Sequence, residues 1–347
     1  MPRSLLIPAL LATIVGLEPA GAAQPALPPD IAWVVKDAAQ FPPDQIDALQ
    51  KGSVIVNAST SGDDLEAAVI ALVRIKAAKQ QTADYFKQVI AYEDGDVTLR
   101  HVKFSRPPVA ADLARLTLDD AERAELRSCK PSACDVRIGA AGARDVQSAI
   151  DWNASDASAR ADTWVRQRVL AYVSDYLARG DAALITYDDK AKPVSLQQEW
   201  LGMLKNSPAL TAYAPALQRH LTEFPSGSLP GAQDELYWDK QHLSGLKTIL
   251  GVTHMVTWTD IARPDRIFIA QKQIYASHYF YGSLAVTMVL QDPADANPPA
   301  SYVVYVNRAR GDLLKGGFGG MRKRLAQQTV TSAAKDMLSQ MKQALER

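Results

Sequence analysis

The chain closes on a change of period that few folds accommodate. Apolar and polar residues alternate over Lys247–Trp258, Arg266–His278 and Ser301–Asn307, the spacing of half-buried strands. Gly316–Gly320 then interrupts, and Phe318, Met321, Leu325, Val330, Ala333, Met337, Met341 and Leu345 recur at near-helical spacing. A helix with one apolar stripe has to bury it, and the antiparallel strands just upstream are the nearest partner. Arg266–Leu290 is too long for one strand, which places a bend near Phe280–Ser283.

Upstream, Ser53–Val56, Leu65–Ile75 and Val97–Phe104 read as strands. Gln80–Tyr92 reads as a helix behind a Thr82 cap. The middle of the chain is helical in pattern. Thr117–Asp120 resembles a capping box, and Asp156–Arg179 carries Val165, Val169, Tyr172, Val173 and Tyr176 on one face before a Gly180 stop. Ser195 caps a further helix, and Pro208 and Pro215 break the next stretch into short pieces. Residues 24–44, rich in Pro and Ala, read as a linker. The expected class is α+β: a curved antiparallel sheet gripping a long C-terminal helix, built from 45–109 and 232–347, with a helical insertion at 110–231.

The N-terminus carries one positive charge at Arg3, an apolar run from Leu5 to Leu17 and small residues Ala20–Ala23, the order a signal peptidase reads. The run is shorter than the ~20 residues a membrane span needs. Residues 1–23 are therefore expected to be a cleaved signal, and the protein exported to the periplasm or secreted. With 38 basic against 38 acidic residues there is no excess charge for nucleic acid. The two cysteines, Cys129 and Cys134, are expected to pair as a local clip in an oxidising compartment. They lack the second His/Cys cluster of a zinc site, so no metal is expected. No cofactor is expected either, since the glycine-rich turn has no Gly-Lys-Ser/Thr ending.

Alternation groups Leu250, Val252, His254, Val256 and Trp258 on one strand face, and Ile274, Ala276, His278 and Phe280 on the next. If these faces point inward, two imidazoles enter an apolar environment, either as satisfied core histidines or as groups that orient a ligand or move protons. No carboxylate shares those faces, which argues against a metal there. Tyr237 and Trp238 suit either a pocket rim or interface packing. Arg322, Lys323 and Arg324 form either a solvated face or a contact for anionic lipid heads. Ser244-Gly-Leu-Lys247, Tyr305-Val-Asn307 and Lys315-Gly-Gly317 mimic the motifs of penicillin-recognising enzymes, but Ser244 leads into a strand rather than a helix.

The order of strand, helix, antiparallel strands and closing helix resembles the START-like (SRPBCC) helix-grip superfamily. Leu65–Ile75 followed by Asp84–Ile90 looks like its first strand and helix, and residues 247–346 like its final strands and gripping helix. Through Ile274–Phe280 and Asn307–Arg310 the chain is also similar to exported bacterial proteins of undefined role. The resemblance rests on element order and transfers no site residue. It implies a hollow between sheet and helix that holds lipids, sterols, polyketides or similar molecules. The expected lining is His254, His278, Trp258, Phe280, Val252 and Ile274 from the sheet, and Phe318, Met321 and Leu325 from the helix. Three functions stay open: carriage of an apolar small molecule or lipid in the cell envelope, cyclase- or hydrolase-like catalysis by the histidines, or partner binding through the insertion.

Overall fold

The structure, a computed structural model, describes residues 26–59, 65–92, 98–242, 245–312 and 319–347. The expected signal, Phe318 and the side chains of Met321, Arg322, Lys323 and Leu325 lie outside the described residues, whereas Arg324 is exposed.

The described chain opens with α1 (Pro29–Trp33), which runs into a π-helical turn (Val34–Ala38), and α2 (Pro43–Gln50). Then come β1 (Ile55–Ser59), β2 (Glu66–Ile75), α3 (Lys79–Tyr92) and β3 (Thr98–Lys103). The helical middle comprises α4 (Asp120–Ser128), α5 (Gly139–Ala149) and α6 (Ala157–Arg179). The two-residue strands β4 (Thr186–Tyr187) and β5 (Val194–Ser195) lead to α7 (Leu196–Lys205), α8 (Pro208–Tyr213) and α9 (Pro215–Glu223). The chain ends with β6 (Ala232–Gln241), β7 (Ile249–Thr259), β8 (Arg266–Ala276), β9 (Phe280–Ala296), β10 (Pro299–Gly311) and α10 (Gly319–Leu345).

The fold is α+β, built on an eight-stranded antiparallel sheet of order β1-β2-β10-β9-β8-β7-β6-β3. Consecutive hairpins join β6 to β10, while β2 pairs with β10 and β3 with β6 at opposite sides. The link between β2 and β3 therefore has to cross the sheet, and α3 does so over β8, β9 and β10. Several local signals act as expected. Ser195 caps α7, its hydroxyl accepting the Gln198 N–H. Gly180 ends α6 at φ +56, where a Cβ would lie 1.7 Å from the Phe224 carbonyl oxygen, so only glycine fits. The α4 cap is Asp119 with Glu122, two residues along from Thr117. Pro208 and Pro215 occupy the first turns of α8 and α9 and so start helices rather than merely break them.

Strand register sorts the core onto two faces. Val69, Val73, Val303, Val289, Ile267 and Met255 meet Phe86 of α3 and Ala334, Leu338 and Met341 of α10. The buried stripe of α10 is centred on those three residues, and Ala333 faces solvent. Ile70, Leu72, Val304, Met288, Phe268 and Val256 occupy the opposite face, against Leu196, Trp200 and Met203 of α7. Within the stretch expected to be a linker, the described residues 26–44 form short helices. Ile31, Val34, Val35 and Phe41 are buried in this second core, because the prolines bound short helices rather than extended chain.

Candidate functional site

A cavity of about 550 Å³ lies between the N-terminal helices and the sheet face opposite α10. Its floor is apolar: Ile70 of β2, Phe268 of β8, Leu284, Val286 and Met288 of β9, and Val304 and Val306 of β10. Val286 and Val306 sit mid-strand in the sheet interior yet stay only half-buried. The roof comes from Val34 and Ala38 of the π-helical turn, from Ala39 just after it, and from Leu210 and Tyr213 of α8. Three contacts hold that roof down. Asp30 pairs with the buried Arg266, Asn57 Nδ2 donates to the Ala39 carbonyl at 3.1 Å, and the Trp33 and Tyr213 rings meet edge-on at 4.9 Å. On the other sheet face, Ala334, Leu338 and Met341 of α10 pack on the strands, and the helix residues expected to line a hollow, Phe318, Met321 and Leu325, lie outside the described residues.

His254 points to the insertion side of β7, as alternation requires, and is fully buried. Its Nε2–H donates to Asp234 Oδ1 at 2.8 Å, and its Nδ1 pairs with the Tyr176 hydroxyl at 2.9 Å. The same Asp234 oxygen accepts from His220 Nε2 of α9 at 2.7 Å, while His220 Nδ1 is buried without a partner. Burial pushes the His254 imidazole below the usual histidine range, outweighing the pull of Asp234. Burial pushes Asp234 up, but its two imidazole donors outweigh that and hold it below the usual carboxylate range. A cleft of about 630 Å³ reaches His220 and Asp234 between Arg106, Ser174, Phe224 and Pro225. Beside the cluster, the fully buried Lys272 pairs with Asp181 and donates to the Leu221 carbonyl at 2.8 Å beneath the Trp200 ring. Burial lowers its ammonium pKa.

His278 belongs to a different network. Its Nε2 meets Glu125 Oε2 at 3.0 Å and its Nδ1 meets Ser277 Oγ at 2.9 Å, beside a hollow of about 100 Å³ that Val252 and Leu250 also line. Burial again holds the imidazole low, against the pull of Glu125. The two histidines share a face but no partner, so they do not form one site. Each has a carboxylate after all, contributed by β6 and α4 rather than by the histidines' own strands. Among the described residues, no three His, Cys, Asp or Glu side chains are grouped to hold a metal ion.

The remaining expected residues scatter. Trp258 stacks on Phe268 at 5.7 Å between ring centres, and Phe280 is half-buried at the start of β9. A register shift opposite Val252 and Thr253 brings Tyr275, rather than Ile274, across from Val252; Ile274 is nonetheless buried. Tyr237 and Trp238 do not form a pocket rim. As strand neighbours they lie in opposite cores, Tyr237 accepting from Gln271 at 2.8 Å and Trp238 donating to the Asp112 carbonyl at 2.9 Å. Cys129 and Cys134 form the expected disulfide. Sequence reasoning missed His220, Asp234 and Tyr176, whose relation to His254 depends on helix placement and carries no motif.

No family model, curated protein or solved structure matches the chain. Among the described residues no helix is long and apolar enough to cross a membrane.

Proposed function

We propose that the protein binds an apolar or amphiphilic small molecule of the cell envelope in the cavity between its N-terminal helices and the sheet. The observation that carries this reading is the hollow of about 550 Å³, floored by seven apolar side chains of the sheet. Its size falls in the ~300–1,000 Å³ range of small-molecule sites, and burial there contributes ~25 cal/mol per Å² of apolar ligand surface. The element order β2, α3, β3, β6–β10, α10 supports membership of the helix-grip superfamily, with the ligand on the sheet face away from the closing helix.

The test is titration with a naphthylamine fluorophore that brightens in apolar surroundings, alongside native mass spectrometry of protein purified from its own envelope. The unaltered chain should bind the fluorophore and release an organic ligand on extraction. Val286→Trp, which fills the floor, should abolish binding and keep the fold. Unchanged binding in that variant overturns the reading. So does an unaltered chain that neither binds the fluorophore nor carries a ligand.

A second reading, acid–base catalysis, is favoured by one arrangement: Asp234 orients the His220 imidazole at the base of the 630 Å³ cleft. His220→Gln keeps a donor for Asp234 while removing the base. A hydrolytic screen with ester and glycoside substrates in which both forms stay inactive rejects this reading.

A further inference from the structure

The cavity has a polar end that its apolar floor does not explain. Val304, Val306 and Arg308 succeed one another on the same face of β10, so the lining runs from valine to guanidinium over about 13 Å of strand. Arg308 is buried. Its Nη1 is bonded to Glu66, while its Nε–H is buried without an acceptor. A buried donor left unpaired costs about 1–3 kcal/mol, so a small shift of this cavity-lining side chain toward an occupant that brings an acceptor is favoured.

Glu66 itself is fully engaged. Beyond Arg308 it accepts from Asn206 Nδ2 at 3.1 Å and lies 3.6 Å from Arg310, which also bonds Glu199 Oε2. Two guanidinium groups thus face two carboxylates, and a doubly charged head adds more unbalanced negative charge to this set than a singly charged one does. A single negative charge with two oxygens in one plane suits a guanidinium edge best.

We infer that the ligand is a long-chain carboxylate, its hydrocarbon on the β8–β10 floor and its head group against the Arg308 guanidinium at the polar end of the cavity. This rests on the ligand-binding reading and names the chemistry of that ligand.

The experiment displaces the naphthylamine fluorophore with palmitate, hexadecanol, methyl palmitate and dodecyl phosphate, each tested on the unaltered chain, on Arg308→Lys and on the double variant Glu66→Gln/Arg308→Met. The double variant removes both charges of the pair together, which avoids stranding a buried carboxylate. Palmitate should displace roughly tenfold more tightly than the alcohol or the ester, as a charge-assisted hydrogen bond implies. Both variants should lose that preference and keep their affinity for hexadecanol. Equal displacement by acid and alcohol overturns the inference alone, as does a double variant that keeps the preference. Tightest displacement by dodecyl phosphate replaces the carboxylate with a phosphate head and also overturns it. Failure of the unaltered chain to bind the fluorophore overturns the cavity reading and this inference with it.

Discussion

Asp234 on β6 and His254 on β7 meet at 2.8 Å across neighbouring strands, and the same carboxylate oxygen holds His220 of α9 at 2.7 Å. One acceptor thus ties the sheet to the helical stretch between β3 and β6. Asp234→Ala orphans two buried imidazole donors, at about 1–3 kcal/mol each. We expect a loss of a few kcal/mol in denaturant unfolding, with hydrogen exchange rising first in α9. A loss below about 0.5 kcal/mol means that the contact does not hold the two elements together.

Asp239 supplies a pH dependence of the opposite sign to that cluster. It is buried on β6 and bonded to Gln241 Nε2, and burial pushes its carboxyl up to about 7. The folded chain then holds a proton that the unfolded chain releases from its ordinary carboxylate pKa of 3.8 upward. This group therefore lowers stability as pH rises from about 4 to about 7, and its contribution is flat above that. For Asp234 and His254 the folded values are depressed, so their contribution is lost as pH falls. Asp239→Asn should raise the denaturant midpoint at neutral pH and leave it nearly unchanged near pH 4. An equal shift at both pH values rules out the buried proton as the cause.

Much of the sheet is legible in the sequence because a half-buried strand writes its face into its residues. His254 and Trp258 share a phase with Val252 and Val256, and the structure keeps them on one face. The same rule separates Tyr237 from Trp238, since adjacent strand residues cannot both line one rim. The register shift opposite Val252 and Thr253 is not legible, because no glycine stands at Gln273–Tyr275 of the strand that carries the extra residue, and it brings Tyr275 across from Val252. Nor is the roof. Pro28, Pro29, Pro42 and Pro43 suggest extended chain, yet they cap or begin helices whose few apolar residues are decided by tertiary packing. Period also says which residues share a face but not which face is left open above Val286 and Val306.

The disulfide is a small contributor to stability. Cys129 and Cys134 are five positions apart, so linking them removes loop entropy worth about 2 kcal/mol in the unfolded chain. Both cysteines are buried beside Leu126 and Val136. Cys129→Ala/Cys134→Ala should lower stability by about that amount, and reduction of the unaltered chain should match it. Unfolding at ambient temperature on reduction indicates a larger structural role for the clip.

Arg266 is among the largest fully buried side chains, and Asp30, at the start of the roof, is its nearer carboxylate partner, with Asp265 at 3.8 Å. Removing one member of a buried pair is worse than removing both, because the remaining charge loses its nearest partner out of reach of solvent. Asp30→Ala should therefore destabilise by about 3 kcal/mol, the low end for a broken buried pair because Asp265 stays near, and Asp30→Ala/Arg266→Met by less. Limited proteolysis reports the same event locally, with cleavage between Ala38 and Phe41 accelerating in the single variant. A double variant as labile as the single one rejects the pair as the anchor of the roof.

Leu338 separates the present cavity from the helix-grip expectation. It is fully buried on α10 against the strand face that carries Val73 and Val303, opposite the face that carries Val304 and Val306. A hollow beneath the closing helix has Leu338 in its wall, so truncation there alters ligand affinity. A hollow beneath the N-terminal helices does not, because the sheet lies between. Leu338→Ala should cost about 2–5 kcal/mol of stability through the void it leaves. Fluorophore affinity, measured well below the lowered melting temperature, should stay within about twofold of the unaltered chain, a difference of roughly 0.4 kcal/mol. An affinity change of tenfold or more in Leu338→Ala, with none in Val286→Trp, moves the ligand to the α10 face.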